Sequence, residues 1–275
     1  VFLNGQYWGH MNLRERVDRF FIAQFEGLPL DQADEMDILE ANGSVNFGSN
    51  KAYRAMLKKI KAGSPATNPD DLQYILDNVD VDNLFEYMAL EMFVGNSDIG
   101  NIRYYRLHQE GSKWKWIWYD ADYGLYRSKF NSPWSYLKVK GMGEQKIDNT
   151  IFLKLLEHPD YKRKFLEKLA DVYKTFTTEY MTQVLDGVVA EIQPEMKNHW
   201  ERWGELNDKA VTSEVPTTID GAYTYWESRV NRLYNTLKVR PHRLWDFIKD
   251  EFKLTKTEME ELFGPQPDYP DDAVL

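Results

Sequence analysis

Residues 96 to 124, NSDIGNIRYYRLHQEGSKWKWIWYDADYG, constrain the fold more than any other stretch of the chain. Two runs, 102–107 and 114–119, alternate at period two and turn at Glu110-Gly111, which predicts a β-hairpin. Trp114, Trp116 and Trp118 share one face of the second run; Ile117 and Tyr119 lie opposite. Both faces are bulky, so the hairpin is expected to pack on two sides. A polar loop flanks each end, with Asp98 and Asn101 in the first and Asp120 and Asp122 in the second. Antiparallel pairing sets these loops side by side. Hard oxygen ligands gathered in this way suit Mg²⁺ or Mn²⁺ and the phosphates it carries.

The segment before the first loop, DNLFEYMALEMFVG, is apolar nearly all round through Leu84, Phe85, Met88, Leu90, Met92 and Phe93. It predicts a buried helix, capped by Asp82 and ended at Gly95. A buried helix is a rigid mount for the loop at its end.

The rest of the chain reads as α+β and mostly helical. Asn4-Gly5 predicts a tight hairpin. Leu13, Val17, Phe20, Phe21 and Phe25 recur at helical spacing after Asn12, and Gly27 and Pro29 stop that helix. MDILE (36–40) reads as a strand, 50–61 as a basic amphipathic helix ending at Gly63, and 70–78 as a short helix. Further helices are expected at 149–157, 160–175, 178–202, 217–238, 241–252 and 256–263, with capping signals at Thr178, Thr217 and Thr255 and breaks at Pro159, Pro216 and Pro241. GMGEQK (141–146) reads as a plain turn, and the acidic, Pro-rich tail from Pro265 to Leu275 as mobile.

Bulk properties narrow the function. The net charge of −10 opposes general nucleic-acid binding, which needs a basic face. With no cysteine, thiolate metal sites, disulfides and a Cys nucleophile are excluded. No apolar run reaches the ~18 residues of a membrane span. The start, VFLNGQYWG, reads as the middle of a hairpin, so the domain is expected to begin upstream of Val1.

Phosphoryl transfer needs a carboxylate at the acceptor hydroxyl and oxygen ligands for a metal that neutralises developing charge. Asp98 and Asn101 supply both types of group, although taken alone they read more readily as an Asx turn after a helix C-terminus. Asp120, Asp122 and Gly124 suit a metal-holding loop or a polar turn. A calcium loop counted from Asp120 ends at Asn131 where a glutamate is required. The two loops together say more than either alone. Buried helix, Asp loop, hairpin, Asp loop with Gly is the order found in the catalytic half of a protein kinase. The His and Arg of the usual catalytic loop are missing, the Asp-to-Asn spacing is shorter, and DADYG stands in place of DFG. No HExxH or GxSxG motif occurs.

The blocks VFLNGQYWGHMNLRERVD, GNSDIGNIRYYR and WKWIWYDADYGLY, with the helical region from IFLKLLEHPDYKRKFLEKL to MKNHWERW, resemble the spore coat protein H (CotH) kinase family, an atypical kinase-like group. The resemblance runs over most of residues 1 to about 250. It implies a kinase-like C-lobe within a domain over 1–264, with the strands and basic residues that cover the phosphates lying upstream of Val1. By the same resemblance, ATP and Mg²⁺ or Mn²⁺ are the cofactors, and a protein Ser or Thr of a coat or surface protein is the acceptor. Asp98 would be the catalytic Asp and Asn101 its partner at metal and nucleotide. Asp120 would be the metal- and nucleotide-binding Asp, and Asp122 an alternative or second ligand. The family implies a spore-coat or secreted setting. Two other readings compete. One is a non-catalytic structural module of a coat or extracellular assembly. The other is a carbohydrate-active module using acidic pairs and aromatics such as Trp200, Trp203 and Trp226, whose helical spacing also fits core packing.

Overall fold

A computed structural model describes residues 1–138, 147–210 and 218–271. The turn expected at 141–146, the cap at Thr217 and the break at Pro216 lie outside these residues. The described chain is mostly helical with two small antiparallel sheets, as the sequence predicts. It divides into two compact units, one of Arg16–Thr175 with Arg240–Asp268, the other of Val1–Glu15, Phe176–Val239 and Tyr269–Leu275.

The second unit begins with strands β1 (Phe2–Leu3) and β2 (Gln6–Tyr7), joined through Asn4 and Gly5 at φ 51° and 78°. Both central residues at positive φ match the twist of the flanking strands, which is why Asn-Gly serves here.

In the larger unit, α1 (Arg19–Phe25) is shorter than its apolar spacing predicts. Asp18, not Asn12, caps it, accepting from the N–H groups of Phe20 and Phe21. Leu13 is fully exposed, so the helical spacing that included it reflects no buried face. Strands β3 (Met36–Glu40), β4 (Ser44–Phe47), β5 (Arg103–Leu107) and β6 (Lys115–Ile117) form one sheet in the order β4-β3-β5-β6. The predicted hairpin is β5–β6, with Gly111 in its turn at φ 73° and Tyr104 opposite Trp116.

The hairpin packs on both faces. Trp114 and Trp116 are buried against Tyr104, with Tyr53 of α2 (Lys51–Ala62) 5.1 Å from the Trp114 ring. On the other side Tyr105 and Leu107 join Ile22, Met36 and Ile38. Strand β6 is shorter than the expected 114–119. The Trp114 N–H donates to Asn78 O and its carbonyl accepts from Asp80 N, so both groups serve the end of α3 (Pro69–Asn78) instead of the ladder. Trp118 lies past the strand and is half exposed.

Helix α4 (Val81–Val94) is buried along most of its length, as expected. Asp80, not Asp82, is its cap and accepts from Asn83 N. Asn83 also reaches the outer edge of β6. Its Oδ1 accepts from Trp116 N at 2.6 Å and its Nδ2 donates to Trp116 O at 3.1 Å. Two backbone groups that would be orphaned at a sheet edge are thereby paired.

After α5 (Ser132–Tyr136), α6 (Thr150–Leu156) and α7 (Pro159–Thr175), two prolines overturn the predicted helix limits. The span 178–202 is not one helix. It divides into α8 (Thr178–Ile192), a 3₁₀ turn at Gln193–Glu195 and α9 (Met196–Ala210), because Pro194 lacks the N–H an α-turn requires. Its cap is Thr177, one residue before the expected Thr178. Conversely, 217–238 and 241–252 are not separate. One helix, α10 (Ile219–Phe252), runs through Pro241. The carbonyl of Leu237, left without its intrahelical donor, accepts from the Thr178 hydroxyl at 3.1 Å. Helix α11 (Lys256–Phe263) follows, and Thr255 with Glu258 forms a full capping box at its start.

Candidate active site

Helix α4 ends at Gly95, which adopts φ 66° and returns its N–H to Glu91 O. A side chain at this position would put Cβ 2.7 Å from Arg240 Nη2. Arg240 is buried and donates to the carbonyls of Met92, Phe93 and Phe130 and to Ser132 Oγ. One guanidinium thus holds the C-terminal carbonyls of α4 and the segment that follows the second acidic loop. Burial pushes its pKa down from the ordinary arginine value, while positive charge at a helix C-terminus is favourable.

The first loop is an Asx turn. Asp98 N donates to Asn96 Oδ1 at 3.0 Å, and Asn101 N to Asp98 O at 3.1 Å. The second loop starts at Asp120, which sits at φ 52°, a left-handed conformation that Asp tolerates better than most residues. Gly124 closes it, donating to Ala121 O, and Leu125 N donates to Val94 O at 2.7 Å. A Cβ at Gly124 would meet Ala121 O at 2.8 Å and Val94 Cγ2 of α4 at 3.0 Å, so the tight loop and its close approach to α4 favour glycine.

The two loops meet through Asn101. Its Nδ2 donates to Asp120 Oδ2 at 2.6 Å, and its Oδ1 accepts from the Tyr119 hydroxyl at 2.7 Å. The Arg103 guanidinium lies 5.0 Å above the Tyr119 ring and pairs with Glu40 at 3.3 Å. Burial, with the carboxylates of Glu40, Asp120 and Asp98, holds the Tyr119 hydroxyl above its ordinary range even though Arg103 opposes the shift. It therefore remains a proton donor to Asn101 at neutral pH.

Asp98, Asn101 and Tyr119 line an open cleft of about 480 Å³, together with Glu40, Ser44 and Arg103. Asp122 stands apart from the other three predicted residues. It is exposed, with no hydrogen bond or ion pair among the described residues. No group of three or more His, Asp or Glu side chains among the described residues is placed to hold a metal by itself. The donors at hand are the Asp120 carboxylate and the Asn101 carbonyl oxygen. Asn101 presents its amide nitrogen to Asp120 and its oxygen to Tyr119, so the two oxygens face one ion only once the amide turns over; so turned, they suit a Mg²⁺-type ion that brings waters and nucleotide phosphates as its remaining ligands, not a resident ion in an all-protein cage.

Sequence reasoning missed Glu91 and Arg240. Glu91, on α4, is 1% exposed and accepts from the Tyr136 hydroxyl at 2.7 Å. Burial pushes its carboxyl up from 4.5 to about 7, and Asp98 adds to the rise; hydrogen bonds from Tyr136, Asn96 and Trp118 oppose it. An acid set between Leu90 and Met92 in the most apolar turns of α4 was the available signal. Arg240, set just before a proline in a polar helix, carries none. The aromatic residues considered as a sugar platform are partly used in packing: Trp203 stacks edge-on against Trp8 and donates to its carbonyl at 2.7 Å.

A family model described as CotH kinase protein matches residues 1–244. No curated protein and no solved structure gives a significant match.

Proposed function

Since the chain belongs to the CotH kinase protein family, we propose that it is a protein kinase that transfers the γ-phosphoryl group of ATP to a serine or threonine hydroxyl with Mg²⁺ or Mn²⁺. The observation that carries this reading is the 2.6 Å bond from Asn101 to Asp120, which joins the two acidic loops beside the cleft that Asp98 lines. Asp98 is the group that receives the acceptor's proton as its oxygen bonds to the γ-phosphorus and the bond to the ADP oxygen breaks. Asn101 and Asp120 would hold the metal, with Asp122 as a second ligand if its exposed loop turns inward. When bound, the ion neutralises charge on the phosphates and leaving group. Tyr119 and Asp120 hold the Asn101 amide with its oxygen toward the hydroxyl and its nitrogen toward Asp120, and metal binding would turn the amide so that its oxygen joins Asp120 at the ion. Arg103 is the cation among the described residues lining the cleft; it is paired with Glu40 and donates to Val17 O, so a phosphate would have to compete with these partners. The acceptor is taken to be a coat or surface protein in a spore-coat or secreted setting, on family grounds alone.

The test is transfer from radiolabelled ATP to casein and to the chain itself, with Mg²⁺ and with Mn²⁺. Asp98→Ala and Asp120→Ala are expected to abolish incorporation while both variants remain folded by circular dichroism. Undiminished incorporation in both variants would remove the assignment. A full-length protein carrying this domain that neither transfers phosphate nor gains thermal stability from ATP with either metal would be a non-catalytic member of the fold.

A further inference from the structure

We propose that Glu91 is a positioning residue: its buried carboxylate, through the Tyr136 hydroxyl and Asn96, holds the Asp98 loop in register. The inference builds on the role given to Asp98 above.

The Tyr136 hydroxyl of α5 donates to the Glu91 carboxylate at 2.7 Å and also lies 3.3 Å from the Asn96 carbonyl oxygen. Asn96, itself 2% exposed, turns its Oδ1 to the Asp98 N–H at 3.0 Å. A chain of contacts thus runs from Glu91 through Tyr136 and Asn96 to the Asp98 backbone. Tyr136 belongs to the short helix that Arg240 secures through Ser132.

The titratable groups facing Glu91 are Tyr87 on its own helix, Tyr136 on α5 and Asp98 on the loop. Both tyrosines are held well above their ordinary range by burial and by Glu91 itself, so they stay neutral donors. Arg240 sits at the same end of α4 but is occupied by backbone carbonyls and Ser132. The carboxylate is therefore held by uncharged donors and faces a negative neighbour.

For stability alone, an apolar or amide side chain would serve better at this position. What a carboxylate adds is strength when ionised, because a bond to a charged acceptor is roughly twice as strong as one between neutral groups. Since burial brings the Glu91 carboxyl up to about 7, that strengthening comes and goes close to neutral pH. Ionised Glu91 tightens Tyr136 and, through it, Asn96 and the Asp98 loop; protonated Glu91 lets them loosen.

The test follows the backbone amide of Asp98 in ¹H–¹⁵N spectra of the wild type and Glu91→Gln across about pH 5 to 9. The wild-type resonance is expected to titrate with a midpoint near 7, and the Gln variant to lack that transition. Tyr136→Phe, which removes a donor that lowers the midpoint, should move it upward. A wild-type amide without a transition near 7 overturns the inference, as does one that persists unchanged in Glu91→Gln or keeps its midpoint in Tyr136→Phe. In transfer assays, kcat should rise through pH 7 in the wild type and stay about 10-fold lower and flat in Glu91→Gln, with KM for ATP unchanged. A matching kcat profile in the two proteins also counts against it. Absence of transfer in the wild type defeats the kinase reading, while the spectra still decide the role of Glu91.

Discussion

Replacing Glu91 by Gln should change how the stability of the protein depends on pH. The folded carboxyl lies near 7 against an ordinary 4.5, because burial penalises its charged form. The difference corresponds to about 3 kcal/mol at ~1.36 kcal/mol per pKa unit. The sign follows from linkage. With the folded value raised, the unfolded chain loses its proton first as pH increases. The contribution of Glu91 is thus fully present below about 4.5, declines between there and about 7, and is gone above. Gln keeps the size and an acceptor oxygen but does not titrate. Urea unfolding followed by circular dichroism at about pH 5 and about pH 8 isolates the effect, since other titrating groups are common to both proteins. The wild type should lose roughly 2–3 kcal/mol relative to Glu91→Gln between these conditions. Parallel stability curves for the two proteins would refute the reasoning, because a carboxylate that costs nothing to ionise is not held in a dry site.

Three further substitutions probe the frame of the site. Arg240→Met strips donors from the Met92, Phe93 and Phe130 carbonyls and should cost about 3–5 kcal/mol by chemical denaturation, with Arg240→Lys recovering a minority of the loss because one ammonium cannot span four acceptors. Gly95→Ala forces Cβ into the left-handed region and onto the Arg240 guanidinium; a loss of about 2 kcal/mol or more in the same assay is expected. Thr178→Val orphans the Leu237 carbonyl and should cost about 1–2 kcal/mol, a deficit that shrinks when Pro241→Ala restores the helical donor.

Local pattern made some of this architecture legible. Alternating aromatics identified the β5–β6 hairpin, and a segment apolar on every side identified α4 as buried. Those two elements suffice to place Asn101 beside Asp120. What the sequence hid was decided by partners far along the chain. Pro194 and Pro241 look alike locally, yet the first interrupts its helix and the second does not. The difference lies in the Thr178 hydroxyl, which arrives from 59 residues away to satisfy Leu237. Trp118 obeys the period of its strand but not its burial, since the ladder stops once Trp114 is committed to the end of α3. Asp122 shares a D-x-D motif with Asp120, but only Asp120 turns toward the hairpin to meet Asn101. Asp18 outcompeted Asn12 as a cap because its carboxylate captures two amides at once.

The amide of Asn83, lodged against Trp116, has a consequence for anything that docks on the four-stranded sheet. Together with the ties from Trp114 to the end of α3, it uses up the outward-facing backbone of β6 at these residues. The opposite margin, β4, is largely solvent-facing, and among the described residues no further strand pairs with it. An extended polypeptide recruited by main-chain pairing would therefore add alongside Ser44–Phe47. Ser44 borders the same cleft as Asp98, so such a guest would run past the acidic loops on its way in.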